Sequence, residues 1–168
     1  MEVVREQVKK IGIDLQVQEV ERSLGIKRNA ANENQLYAWN NDGSEHLYTF
    51  PTHVFPYEPT SGGGALYAQW FQSNGELGKE PPPKVKEVML NFRKAYGSPD
   101  DERIRLGQEI WKTAADEVFM IGIVGMGAAS VGVRIAKNNL GNIPARHYNS
   151  PDGKTPGISR TMTFFYKS

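Results

Sequence analysis

Two hydrophobic periods follow one another at the start of the chain. Apolar residues recur at helical spacing over 2–10, and after Gly12 they alternate with polar residues over 14–18. The same succession returns as a helical pattern over 21–31 and an alternating stretch over 35–39. A connection between two parallel strands needs about a dozen residues, and the segment between the two alternating stretches is just long enough. The pattern therefore predicts α-β-α-β with right-handed connections. We therefore predict the α/β class with a parallel βαβ core.

A helix that feeds a strand is the second half of a βαβ unit, and no strand is predicted before the first helix. We therefore expect the 168 residues to be a fragment of a larger protein. Additional helices and an irregular C-terminal tail should complete the fragment. The expected parts are an αβαβ sheet core over 1–40, a long loop rich in aromatic, Pro and Gly residues with a short helix over 41–83, two helices over 84–119, and strands with a tail over 120–168.

Within these parts the periodicity predicts particular elements. Helical spacing favours a short helix over 65–72 and a longer one over 84–96, which follows three prolines. A third helix should begin near Pro99 and run to about 118. Alternation then predicts strands over 119–124 and 130–135.

Composition removes several classes of function. Twenty Lys and Arg against nineteen Asp and Glu give a net charge of +1, so the chain has no electrostatic footprint for nucleic acid or for a membrane surface. The longest apolar stretch, 118–133, is interrupted by glycines and falls short of the roughly 20 residues of a bilayer-spanning helix. Because the chain has no cysteine, disulfides, thiolate zinc sites and cysteine nucleophiles are excluded.

A glycine-rich stretch from Gly122 to Ser130 resembles the dinucleotide loop of a nucleotide-dependent enzyme. Its pattern is G-x-G-x-x-S, in which serine replaces the third glycine. The residues after it alternate like a strand, and the position where an acid should hold the ribose falls in a proline-rich tail. A core hairpin or bend is the competing interpretation, and a small nucleotide-dependent enzyme is our alternative function.

Histidines and carboxylates suggest neither a metal site nor a catalytic site. The candidate metal ligands, His46, His53 and His147 with Asp42 and Glu45, include no i, i+4 pair on a predicted helix and no zinc spacing. No G-x-S-x-G elbow is present in the sequence. We therefore expect no metal, no cofactor and no enzymatic activity.

The strongest candidate for ligand contact begins where the second predicted strand ends. Ligands of open α/β sheets bind beyond the carboxyl ends of the strands. There Trp39 offers a flat apolar face, Asn40 a polar contact, and Asp42 a carboxylate for an ammonium or a hydroxyl, with Tyr57 as a weaker contact from the loop. The alternative is that Trp39 is a core residue at the end of the strand and that Asp42 begins a turn.

Five stretches resemble the C-terminal part of bacterial extracellular solute-binding proteins of the oligopeptide and dipeptide type. These proteins are the ligand-capturing subunits of ABC importers. The stretches are VREQVKKIGIDLQVQEV at 4–20, QLYAWNND at 35–42, YAQWFQSNGELGKEPPP at 67–83, the segment 114–127, and KNNLGNIP at 137–144. Together they span most of residues 2–145.

This resemblance implies the C-terminal lobe of a two-lobed periplasmic-binding-protein-like fold, whose C-terminal tail returns toward the first lobe. In the peptide-binding branch, a Trp and an Asp separated by two residues follow a strand, and the aspartate meets the α-amino group of the peptide. Trp39 and Asp42 match that spacing, whereas the long aromatic loop resembles branches whose ligand is an oligosaccharide. The implied function is import of peptides or oligosaccharides, with ABC permease subunits as partners and a periplasmic or extracellular, membrane-associated parent.

Overall fold

The computed structural model describes residues 1–41, 46–123, 137–144 and 160–167. Five α-helices follow one another: α1 (Glu2–Lys9), α2 (Arg22–Ala30), α3 (Ala65–Gln72), α4 (Pro83–Ala95) and α5 (Asp100–Asp116). Short 3-10 helices cover Pro51–His53 and Thr161–Thr163. Two strands, β1 (Leu140–Gly141) and β2 (Phe165–Tyr166), pair antiparallel with Leu140 opposite Tyr166.

The predicted α/β class with a parallel βαβ core is wrong. Over the described ranges the chain is mostly helical, and its strands are the two short antiparallel ones. Residues 14–18 and 35–39, both predicted as strands, are irregular, as is the described part of the predicted strand 119–124. The predicted strand 130–135 lies outside the described residues. The sequence therefore predicted helices better than it predicted strands.

The failure of the first predicted strand has a physical cause. Gly12, at a positive φ of 86°, ends the turn after α1, as the pattern predicted. Among the described residues, the alternating segment that follows has no neighbouring strand with which its backbone could form a hydrogen-bonded ladder. Its apolar side chains Ile13 and Val17 are 48% and 37% exposed. Alternation alone therefore did not specify a strand here.

The hydrophobic core lies between α3, the hairpin of α4 and α5, and the loop that precedes α3. Phe92 of α4 is 1% exposed, and Ile110 of α5 is fully buried. The remaining members of the cluster come from the loop, α3 and α4: Leu47, Val54, Phe55, Phe71, Val88 and Met89. The part of the aromatic loop that precedes α3, residues 46–64, thus contributes to the core. We call these residues the ordered loop.

Charged side chains link the two helices of the hairpin. Three acids, Asp100, Asp101 and Glu102, occupy the first turn of α5. Their negative charges interact favourably with the positive end of the helix dipole. The Glu102 carboxylate accepts from Lys94 of α4 at 2.9 Å and from Arg105 at 2.8 Å. These contacts hold the pKa of Glu102 down at about 2, with the Arg105 hydrogen bond as the largest cause.

Candidate functional site

A stacked aromatic pair, with one ring exposed and one half-buried, forms the candidate site. The rings of Tyr37 and Trp39 stack with centroids 5.7 Å apart and planes inclined by only 12°. Both residues belong to the irregular segment after α2, and their stacked rings lie on one side of this segment. Trp39 is 44% exposed, so its indole is held by one aromatic neighbour while it remains accessible.

A cation lies over the same indole. The guanidinium carbon of Arg22 is 5.3 Å from the ring centroid of Trp39. Arg22 is the first residue of α2, and the preceding Glu21 caps this helix by accepting from the backbone N–H groups of Ser23 and Leu24. A cation over an exposed indole contributes about 0.5–1 kcal/mol, which restricts the ring further. We call Arg22, Tyr37 and Trp39 the aromatic platform.

The packing of α2 fixes the ring of Tyr37, which is the less exposed ring of the platform. Gly25 is buried, and a Cβ atom at this position would lie 3.3 Å from Val20 and 3.8 Å from the ring of Tyr37. The absent side chain therefore lets the helix approach both residues. Burial raises the pKa of the Tyr37 hydroxyl, and the charge of Arg22 opposes this change.

A buried hydrogen bond joins α2 to the core of the protein. The side-chain amide of Asn29 donates to the carbonyl oxygen of Ser61 at 2.6 Å, and the two residues are 5% and 2% exposed. The hydroxyl of Ser61 accepts in turn from the backbone N–H groups of Tyr57 and Glu58. This connection holds the helix that carries Arg22 against the ordered loop.

The four residues predicted for the site have different surroundings. Trp39 lies in the platform, and Asn40, the next residue, is exposed beside it. Asp42 lies outside the described residues. Tyr57 is half-buried, and its ring contacts are with three core aromatics at centroid distances of 5.4–6.1 Å: Phe55, Phe71 and Phe92. Within the described part of the chain, the structure therefore places Tyr57 against the core and Trp39 on the surface.

The residues of the alternative sites are only partly described. His53 packs edge-on against Phe50 at 5.0 Å, and the described residues contain no group of three side chains able to hold a metal ion. His147, Asp42 and Glu45 lie outside these residues. The glycine-rich stretch Gly122–Ser130 is described only at 122–123, which are exposed and irregular. The strand that a dinucleotide loop requires is thus missing from 119–123.

An apolar cavity of about 190 Å³ lies between the ordered loop, α3 and the chain that follows α5. Its walls include Phe55, Tyr67, Val85, Phe119 and Met120. Ligand sites combine such walls with a few polar groups that orient the ligand. The side chains named here offer at most the hydroxyl of Tyr67 for that purpose.

Arg22 and Tyr37 are the members of the platform that sequence reasoning missed. Tyr37 could have been found, because it stands two residues before Trp39 in a stretch with extended spacing. Arg22 lies 17 residues before Trp39, and only the packing of α2 brings its guanidinium over the indole. No local pattern in the sequence indicates that pairing.

Comparison with known proteins adds no assignment. No protein-family model matches the chain, and a search of curated proteins finds no match. Among the described residues, no helix is both long and apolar enough to span a membrane.

Proposed function

We propose that the chain is a solute-binding part of the extracellular receptor of a bacterial ABC importer, in which the aromatic platform contacts a peptide or an oligosaccharide. The observation that carries this proposal is the exposure of Trp39, whose ring is braced by Tyr37 and Arg22. An indole held in one orientation loses little conformational freedom when a ligand packs against it. The resemblance of the segment 35–42 to importer receptors supports the same function.

The platform suits the two ligand classes for different reasons. The exposed part of the Trp39 ring can pack against the C–H face of a sugar or an apolar peptide side chain. Arg22 adds a guanidinium, whose five N–H donors can bind a carboxylate terminus or sugar hydroxyls. Arg22 would repel a ligand ammonium, for which Asp42 is the predicted anchor.

A further protein surface that closes over the platform would complete the site. Leu36 is 71% exposed close to Trp39, so this surface carries apolar groups that a partner surface would remove from water. In this proposal the closed receptor then docks on the permease, outside the cytoplasmic membrane. The solute is bound and released unchanged.

Substitution of Trp39 tests the role of the platform. We expect Trp39→Ala to weaken binding of whichever probe binds, trialanine or maltotriose, by at least about tenfold, because truncation of an aromatic anchor typically costs 2 kcal/mol or more. Isothermal titration calorimetry on the chain and its variants measures the effect. Leu77→Ala is the control, since it removes an exposed apolar group that belongs neither to the platform nor to the segment that carries it. Equal affinities of the two variants would exclude the platform from the site.

Substitution of the predicted anchor tests a different contact. We expect Asp42→Ala to weaken binding of the bound probe by about 1.5–3 kcal/mol, the contribution of a hydrogen bond to a charged group. The same calorimetric titration measures this loss, with Asp42→Asn retaining part of the affinity through its carbonyl oxygen. An unchanged affinity in Asp42→Ala would remove Asp42 from the site and leave the platform untouched.

A further inference from the structure

One face of α5 forms the wall of a groove that lies apart from the aromatic platform. Residues 103, 104, 107, 108 and 111 share this face, because they recur at helical spacing over about two turns. Residues 46–49 form the opposite wall. The groove encloses about 330 Å³, which is at the lower end of the volumes of small-molecule sites.

The lining of the groove combines an aromatic ring with planar polar groups. Trp111, at one end of the groove, is 41% exposed. Gln108 follows Gly107 on the same face of α5, and its side chain is exposed. Arg103 contributes a guanidinium, and the hydroxyl of Thr49 lies on the opposite wall. A carboxamide both donates and accepts, as a ligand hydroxyl does, so the two can pair in either direction.

The charge of the groove is nearly balanced. The guanidinium of Arg103 forms an ion pair with Asp100 at 2.7 Å, one turn earlier on the same helix. This carboxylate cancels most of the field that would otherwise attract an anion. The groove therefore favours a neutral hydroxyl-rich ligand over a carboxylate or a phosphate.

The two walls are fixed to each other. The hydroxyl of Tyr48 donates to the backbone carbonyl of Arg103 at 2.5 Å. Gly107 makes this approach possible, since a Cβ atom there would lie 3.1 Å from the hydroxyl oxygen. Tyr48 also stacks on Phe92 of the core with centroids 5.8 Å apart. A groove with braced walls loses little entropy when it is occupied.

We propose that this groove binds a neutral saccharide of one or two hexose units. Trp111 packs against the C–H face of a sugar ring, and Gln108 and Arg103 hydrogen-bond to its hydroxyls. The groove is distinct from the aromatic platform, so it gives the protein a second contact for a carbohydrate. The proposal for this groove does not depend on the proposed importer function.

Nuclear magnetic resonance of the indole N–H groups tests this site with glucose, glucuronate and glucosamine as probes. The chain has three tryptophans, so the signal of Trp111 can be followed separately from that of Trp39. We expect the Trp111 signal to move and saturate with glucose, while the two charged analogues bind no more tightly. We also expect Gln108→Ala to weaken glucose binding by about tenfold without a change in fold, because the side chain is exposed.

Asp116→Ala is the matched control, because it removes an exposed side chain near the end of α5 on the side turned away from the groove. This variant should bind glucose as the unmodified chain does. A Trp111 signal that stays fixed with glucose, or that responds only to glucuronate, would overturn the saccharide assignment. Equal weakening by Gln108→Ala and Asp116→Ala would also overturn it. Because the readout is Trp111, a negative result leaves the proposal for Trp39 unaffected.

Discussion

At the scale of single residues, Phe92 is the side chain on which the packing of the core depends most. It is 1% exposed, and its ring meets those of Tyr48, Phe55, Tyr57 and Tyr96 at centroid distances of 5.2–5.8 Å. These neighbours come from the ordered loop and from the end of α4. The ring therefore joins segments that are distant in sequence.

Truncation of Phe92 should leave a cavity among these rings. We expect Phe92→Ala to lower the free energy of unfolding by about 3–5 kcal/mol, the usual cost of a buried phenylalanine. Urea denaturation followed by circular dichroism measures the loss. Leu90→Ala is the matched control on the same helix, because Leu90 is 48% exposed. Equal losses in the two variants would contradict the placement of Phe92 in the core.

The hydrogen bond from Asn29 to Ser61 provides a second test at this scale. We expect Asn29→Leu to cost about 1–3 kcal/mol of unfolding free energy, because the buried carbonyl of Ser61 loses its donor. Urea denaturation again gives the value, and Lys27→Ala, on an exposed part of α2, serves as the control. A loss no larger than that of the control would show that this bond does not hold α2 against the loop.

At the scale of elements, the hairpin of α4 and α5 has a predictable dependence on pH. The pKa of Glu102 is lowered from 4.5 to about 2 in the folded chain. Stability from its contacts is thus fully present above about pH 4.5 and is lost as pH falls toward about 2. We expect the denaturation midpoint to decrease across this window. The denaturation midpoint of the Glu102→Gln variant should decrease less over the same pH range. An identical dependence of the midpoint on pH in both chains would contradict this role of Glu102.

The sequence predicted the helices well because each has its own local signals. The prediction over 65–72 matches α3, and the prediction over 84–96 differs from α4 by one residue at each end. Local signals do not specify strands, since a strand needs a partner in the structure. Residues 14–18 and 35–39 carry the alternation, but in the part of the chain that the structure describes they have no neighbouring strand with which to pair.

At the scale of the whole molecule, the wrong fold class followed from those two strands. A parallel sheet was inferred from alternation alone, whereas the chain builds its core from α3, α4, α5 and the ordered loop. The candidate site was only partly predictable for a related reason. The sequence singles out Trp39 itself, whereas the position of Arg22 over its ring depends on tertiary packing.

The most direct test of the proposed function follows the indole N–H signal of Trp39 while trialanine or maltotriose is added. The account predicts that this signal moves and saturates with one of the two probes. Trp70, packed against the core, should stay fixed. A Trp39 signal that remains unchanged up to about 10 mM of both probes, a range that detects even millimolar affinity, would contradict the proposal.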